Sequence, residues 1–290
     1  MVSLDLLLNA LVAGALLGGF YAAVSLGISI TFGLLDVANI AHPVFIVLGS
    51  YAAFTLNNAY GVDPLAAGLL FAPVFFALGI VVYQVYYLSF ERKGESPLRG
   101  LVFFFGLLFI IEVSLLLKFG VDYRLIEAPY VGRSLHIGMV GIAFRLLIPC
   151  LVGLAMTLAL VLVLSRTFYG RAIKGVAQDA LALRLMGIDP VWIKTLAFGL
   201  AIATASLAGA LLIIISPVQP AIGRDYIGRV FAITVLGGLG SVGGTLTAAM
   251  ILGLAETLTA TFSGPSWSQA VSFGVLLLVL AVRPAGLFGR

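Results

Sequence analysis

About eight apolar stretches, each near the ~20 residues that a helix needs to cross a bilayer, follow one another along this chain. They cover 6–35, 37–62, 64–90, 100–117, 146–165, 195–215, 230–260 and 267–282. A soluble domain covers its surface with roughly 25% charged residues. Here 10% are charged, 62% are hydrophobic and the mean hydropathy is +1.18, so the outer surface has to face lipid. The first stretch is far too long for the core of a signal peptide and reads as an uncleaved span. No charged linker divides the chain. Residues 1–290 therefore read as one all-α, polytopic membrane domain in which glycine-rich segments are broken or re-entrant.

The net charge of +4 comes from 16 basic against 12 acidic residues, and the basic ones collect in loops, so nucleic acid is not needed to explain it. Arg92, Lys93 and Arg99 lie in 91–99; Arg166, Arg171, Lys174, Arg184 and Lys194 lie in 166–194. Both loops are assigned to the cytoplasmic side by the excess of positive charge there. Segment 118–145, with Lys118, Arg124, Arg133 and Arg145, then faces outward. Arg283 and Arg290 favour a cytoplasmic C-terminal end, and Asp5 leaves the N-terminal end outside. That combination requires an odd number of crossings, so one stretch is expected to be re-entrant, with its break at VLGGLGSVGG (235–244).

Enzymatic readings fail on their spacing. Gly238, Gly240 and Gly243 form a G-x-G-x-x-G, but their flanks are membrane-apolar, whereas a dinucleotide fold needs a strand before and an amphipathic helix after. No G-x-x-x-x-G-K-[ST] is present, so any ATP and Mg belong to partner subunits and the chain itself needs no cofactor. Leu239 precedes Ser241 by two, so the serine nucleophile elbow is absent. Cys150 is single, and His42 and His136 are too few for a zinc site. The glycines, with Gly244, are expected to act as hinges and close-packing positions.

Two stretches carry polar groups that lipid would penalise. In FGLLDVANIAHPVF, Asn39, His42 and Pro43 follow Asp36 inside an apolar run. Pro43 removes a donor and clashes with the carbonyl four residues back, so a helix break buried in protein or lining water is expected. Asn39 and His42, three apart, then lie on one helical face, where they cap the break or line a translocation path. Glu112 sits mid-span, and an intramembrane carboxylate usually faces a cavity or a partner. In the other stretch, 166–194, small residues alternate with Leu181, Leu183, Leu185 and Met186 up to Gly187 and Pro190. That predicts one short helix over 172–186, too brief to stand alone, whose apolar strip seeks a groove in a soluble partner.

Segment 166–194 resembles the cytoplasmic coupling loop of ABC-importer permeases of the branched-chain amino acid family. It has Gly170-Arg171, Ala177-Gln178-Asp179 and Gly187-Ile188 where those permeases show a Gly-Arg pair, an Ala–acid stretch and a closing Gly-Ile. GALLGGFYAAVSLGISITFGLLDVANIAH (14–42), SLAGALL (206–212), VLGGLGSVGGTLTAAMILGLAETL (235–258) and RPAGLFGR (283–290) are similar to the family in the same order. Asn39, Ala41 and His42 match its pattern, whereas Asp36 and Pro43 depart from it.

The resemblance implies a multi-pass permease of a bacterial or archaeal cytoplasmic membrane, without its own ATPase site, for branched-chain or similar hydrophobic amino acids. It implies a second related permease, two cytoplasmic ABC ATPase subunits and a soluble extracytoplasmic binding protein as partners. Arg224 and Asp225, expected at the outer boundary, would be where that binding protein docks. Relatives of the family also carry urea, short amides and hydrophobic carboxylates. An ion-coupled secondary transporter is the remaining alternative, disfavoured because Glu112 reads as the only mid-span carboxylate.

Overall fold

The computed structural model describes residues 4–94, 97–138, 140–283 and 285–289. Arg290, counted above toward the cytoplasmic side, lies outside the described residues, as do Glu95 and Ser96 of loop 91–99. The elements run α1 (Leu4–Thr31), α2 (His42–Tyr60), α3 (Pro64–Ser89), α4 (Pro97–Phe119), β1 (Ser134–Ile137), β2 (Val140–Ala143), α5 (Phe144–Arg166), α6 (Phe168–Gln178), α7 (Ala180–Leu185), α8 (Pro190–Ile215), α9 (Gly223–Gly237), α10 (Val242–Phe262) and α11 (Pro265–Val282). The fold is all-α apart from the β1–β2 hairpin, in which Ser134 pairs with Ala143 and His136 with Gly141.

Among the described residues seven helices, α1, α3, α4, α5, α8, α10 and α11, are long and apolar enough to cross a membrane. The α1 and α8 helices form the centre, with α1 continuously buried from Gly18 to Thr31. The flanking helices leave Leu70, Val74, Val102, Ile110, Leu158 and Leu277 exposed, which in a bilayer is lipid-facing surface. Lipid tails are as apolar as leucine, so helix association here depends on close packing and hydrogen bonds between helices. Small residues supply the first. A Cβ at Gly18 would stand 2.7 Å from the Met250 Cα, and one at Gly79 would stand 2.9 Å from the Gly199 Cα. Serines supply the second: Ser50 donates to the Gly209 carbonyl and Ser206 to the Gly68 carbonyl, each at 2.7 Å.

Contacts at the helix ends define two faces. On one, Lys194 at the start of α8 pairs with Glu91 after α3 at 2.5 Å, and Tyr83 donates to the same carboxylate at 2.9 Å. Arg92, Lys93, Arg166, Arg171, Lys174 and Arg184 share this basic face. On the other, Asn9 accepts from the Gly141 N–H, and Arg124 and Val218 exchange backbone bonds. Tyr130 donates to Asp63 at 2.9 Å there, and burial together with this bond pushes the tyrosine hydroxyl above its usual range. Asp63 also caps α3 by accepting from the Leu65 N–H at 2.8 Å. Asp63→Ala removes both contacts and is expected to cost about 1–2 kcal/mol, read as a lowered unfolding midpoint in detergent.

Two expectations need correction. Stretch 37–62 is helical only from His42, because residues 32–41 form turns and extended chain that lead back into the bundle. Stretch 230–260 is not one span with a re-entrant break. Its glycines form a tight turn, and α9 and α10 return antiparallel, with Gly237 against Gly244. At 1.5 Å per residue the 15-residue α9 is about 22 Å long, too short to cross alone. The α2 and α9 legs each complete their passage with non-helical chain.

Candidate functional site

Where α1 ends, a Cβ on Gly33 would stand 2.5 Å from the Gly240 nitrogen, so the chain turns directly on the α9–α10 loop. Asp36 then takes φ +56°, a left-handed conformation rare for residues other than glycine, and its side chain is exposed. The chain re-enters the bundle at Asn39. Its Oδ1 accepts from the Ala41 N–H at 3.1 Å and its carbonyl from the His42 N–H at 3.2 Å, which sets up the first turn of α2.

Pro43 sits in that first turn, where no N–H is required. It starts a helix and does not break one, and Asn39 lies ahead of the helix, not on a shared face with His42. The expectation for this trio is corrected on both points. Asn39 and His42 are nonetheless fully buried together, with Asn39 Nδ2 and both His42 ring nitrogens left without a hydrogen-bond partner. The ring is wedged over Gly27, where a Cβ would meet its Nε2 at 2.5 Å and the Ala201 carbonyl oxygen at 2.7 Å. Unsatisfied polar atoms this deep require a water or solute partner.

The α9 helix begins beside this break, with Gly223 in van der Waals reach of Val44 in the first turn of α2. Arg224 does not lie at the outer boundary. Its Nε and Nη2 grip the Glu112 carboxylate at 2.8 and 2.6 Å, and its guanidinium lies 5.0 Å from the Phe109 ring centre. Glu112 stands seven residues before the end of α4, about 10 Å below the opposite face. Asp225 is exposed on the next position. The structure thus joins two residues that the sequence reading placed in different sites.

One turn further, Arg229 Nε donates to Glu256 Oε1 at 3.1 Å. Tyr21 donates to Oε2 of the same carboxylate at 2.5 Å, and Ser272 also donates to it. Glu256 is 3% exposed and lies within α10, so Glu112 is not the only mid-span carboxylate. Glu256 and Arg229 stand out separately in the sequence, the first as an acid that recurs in the family it resembles and the second beside Arg224 and Asp225 at an expected outer boundary, but their pairing does not.

At the α9–α10 turn, Gly238 (φ +92°) and Gly240 (φ +81°) adopt left-handed backbone, and Ser241 caps α10 by accepting from the Gly244 N–H at 3.1 Å. A Cβ on Gly237 would stand 2.5 Å from the Gly244 carbonyl carbon, whereas Gly243 faces open space. The residues after α11 close over this turn. Leu287 N–H donates to the Leu236 carbonyl at 2.8 Å and Phe288 N–H to that of Gly237 at 3.3 Å, occupying acceptors that a helix end leaves free.

On the basic face, segment 166–194 holds two helices, not the single one expected. Gly170 seats α6 on the end of α5, where a Cβ would stand 2.5 Å from the Leu164 Cα. Asp179 interrupts the helix and caps α7, accepting from the Leu181 and Ala182 N–H groups at 2.8 and 3.0 Å. Gly187 (φ +81°) ends α7, and the Ile188 N–H returns to the Leu183 carbonyl at 3.1 Å, a Schellman closure. Leu183 is buried, but Leu181, Leu185 and Met186 are 67%, 83% and 69% exposed, with Arg171 and Ala177 also on the surface.

This architecture is that of a multi-pass membrane permease. The family described as branched-chain amino acid transport system, permease component, matches residues 10–280, and the chain belongs to it. It is 32% identical to the high-affinity branched-chain amino acid transport system permease protein BraD of Pseudomonas aeruginosa, over 98% of this chain and 96% of that one. It is 30% identical to the permease protein LivH of the corresponding Escherichia coli system, over 96% and 94%. To the permease protein LivM of the same organism it is 27% identical, over 92% of this chain and 67% of LivM. The family is a membrane permease component, not an enzyme.

Proposed function

We propose that the chain forms part of the translocation pathway of an ABC importer for branched-chain or similar hydrophobic amino acids, as one 1–290 membrane domain moved by separate ATPase subunits that bind ATP and Mg. The observation that carries this reading is the apolar spur Leu181, Leu185 and Met186 on α7, exposed on the basic face. In water it favours burial in a partner's groove. Asp179 and Gly187 fix both ends of α7, and Gly170 fixes α6 to α5, so a push on the spur reaches the membrane helices through 166–194. Similarity to both LivH and LivM supports pairing with a second, related permease.

The solute path is assigned to the break at Asn39 and His42. There the N-terminal ends of α2 and α9 meet inside the bundle, and the partial positive charge of helix N-termini suits an amino acid's carboxylate. Glu112 and Arg224 neutralise each other beside this point. A soluble binding protein would then press on the face holding β1–β2.

Leu185→Asp in the assembled importer tests the coupling. Leucine uptake into proteoliposomes and binding-protein-stimulated ATP hydrolysis are expected to fall about tenfold or more, as losing one buried leucine contact of ~1.5–3 kcal/mol implies. Recovery of the permease from membranes should not change. Uptake and ATPase co-purification at the unaltered level would defeat the assignment.

A further inference from the structure

Near the basic face α3 and α4 meet through tilted rings, with Tyr86 5.3 Å from Phe104 and Phe90, just after α3, 5.6 Å from Phe103 between centres. Toward the opposite face α2 and α4 bound a cleft of about 430 Å³ lined by Leu48, Ala52, Ile111 and Leu115, with Phe71 of α3 at its side. Its mouth is formed by Thr55, Ile110 and Ser114, all exposed, so it opens on the lipid-facing flank and not on the buried break at His42. The Thr55 and Ser114 hydroxyls bond the Tyr51 and Ile110 carbonyls of their own helices, at 2.8 and 2.6 Å, which leaves the walls apolar.

Two polar groups remain at the upper end. Tyr51 is 1% exposed, and its hydroxyl has no hydrogen-bond partner. Its ring lies tilted against Phe119 at 4.5 Å between centres, and the Lys118 ammonium sits 5.3 Å from the Phe119 ring centre. Lys118 forms no salt bridge among the described residues; Arg124, which donates to the Phe119 carbonyl at 3.1 Å, lies nearby but is offset by Asp122 at 4.0 Å, so Lys118 carries the charge of this rim. A free amino acid fits poorly: its ammonium would face Lys118, and no carboxylate lines the cleft.

From this arrangement we infer that the cleft is a phospholipid site. It takes one acyl chain of an anionic lipid from the leaflet opposite the basic face, with the head-group phosphate at Lys118 and an ester carbonyl accepting from Tyr51. The aliphatic walls hold the chain, the orphan phenol meets an acceptor, and the unpaired ammonium meets a negative charge at the depth where long basic side chains reach the interface.

The test uses the complete importer in liposomes containing phosphatidylglycerol with a photoreactive group midway along one acyl chain. Labelled peptides are then mapped. Label is expected to concentrate in 48–56 and 110–119. Ser114→Trp, which blocks the mouth from its exposed side, and Lys118→Glu should each lower that label by about fivefold or more, the factor expected for ~1 kcal/mol per basic contact. With photoreactive phosphatidylcholine, Lys118→Glu should have no such effect. Label spread equally over the lipid-facing residues of α5 and α11 would overturn the site. So would label indifferent to both substitutions, or a cysteine at 114 that cross-links to the second permease in place of lipid.

Discussion

Replacing Arg229 with Met is expected to destabilise the bundle by about 3–5 kcal/mol, the range for removing one partner of a buried ion pair. The cause is the carboxylate left behind. Glu256 is 3% exposed and holds Arg229, Tyr21 and Ser272, so it ties α9, α1 and α11 to its own helix, α10. Without the guanidinium its charge stays in a medium that cannot solvate it. The double variant R229M/E256Q should recover part of the loss, because it removes the charge as well as its partner. Arg224→Met should cost less, since the Arg224 side chain is 52% exposed whereas that of Arg229 is 14% exposed, so less of the pair's interaction is sheltered from solvent. Unfolding midpoints of the detergent-solubilised variants decide the matter. An R229M protein as stable as the parent would remove the cluster from the account of how α9 is held.

Gly253→Val is the other substitution with a large expected effect. A Cβ at 253 would stand 2.5 Å from the Gly18 nitrogen and 2.6 Å from the Gly14 carbonyl oxygen. Both neighbours are backbone, so no side chain can swing away, and α1 and α10 must separate along their length. Overpacking of this kind costs about 1–3 kcal/mol where side chains can adjust, and more where they cannot. The folded fraction recovered from membranes should fall to a small part of the parent's. Gly243→Val is the matched control. It lies in the same helix with nothing near its missing Cβ, and its change should stay within about 0.5 kcal/mol. Equal recovery of the two variants would mean that contact between α1 and α10 is not what assembles the core.

Uniformly apolar segments were legible from composition. Stretch 64–90 became α3 almost residue for residue, since Asp63-Pro64 marks its start and no charge interrupts it. The α8 helix begins at Pro190, five residues before the apolar stretch 195–215, because Asp189 caps it and Lys194 reaches Glu91 without interrupting the helix. The glycine break at 235–244 was found, but glycine permits a kink, a re-entrant loop or a turn alike. Only the packing of Gly237 on Gly244 makes it a turn.

The candidate site was read less completely, for a different reason. Local chemistry marked Asn39, His42 and Glu112 as anomalous, yet which group satisfies each is decided across the fold. Glu112 and Arg224 stand 112 residues apart in sequence. Glu256 was marked only by resemblance, and its partner Arg229, 27 residues away, is brought to it by the α9–α10 turn. The single helix expected over 172–186 failed on Asp179, whose preference for capping the following N–H groups outweighed the helical pattern on either side.

The clamp on the α9–α10 turn has a bearing on the order of biosynthesis. Leu287 and Phe288 come after every helix they fasten, and translation at roughly 5–20 residues per second delivers them only once α11 has been made. During insertion the hairpin therefore waits with its final carbonyls bare. Its geometry is secured by the last stroke of assembly, like a latch dropped after the door is shut.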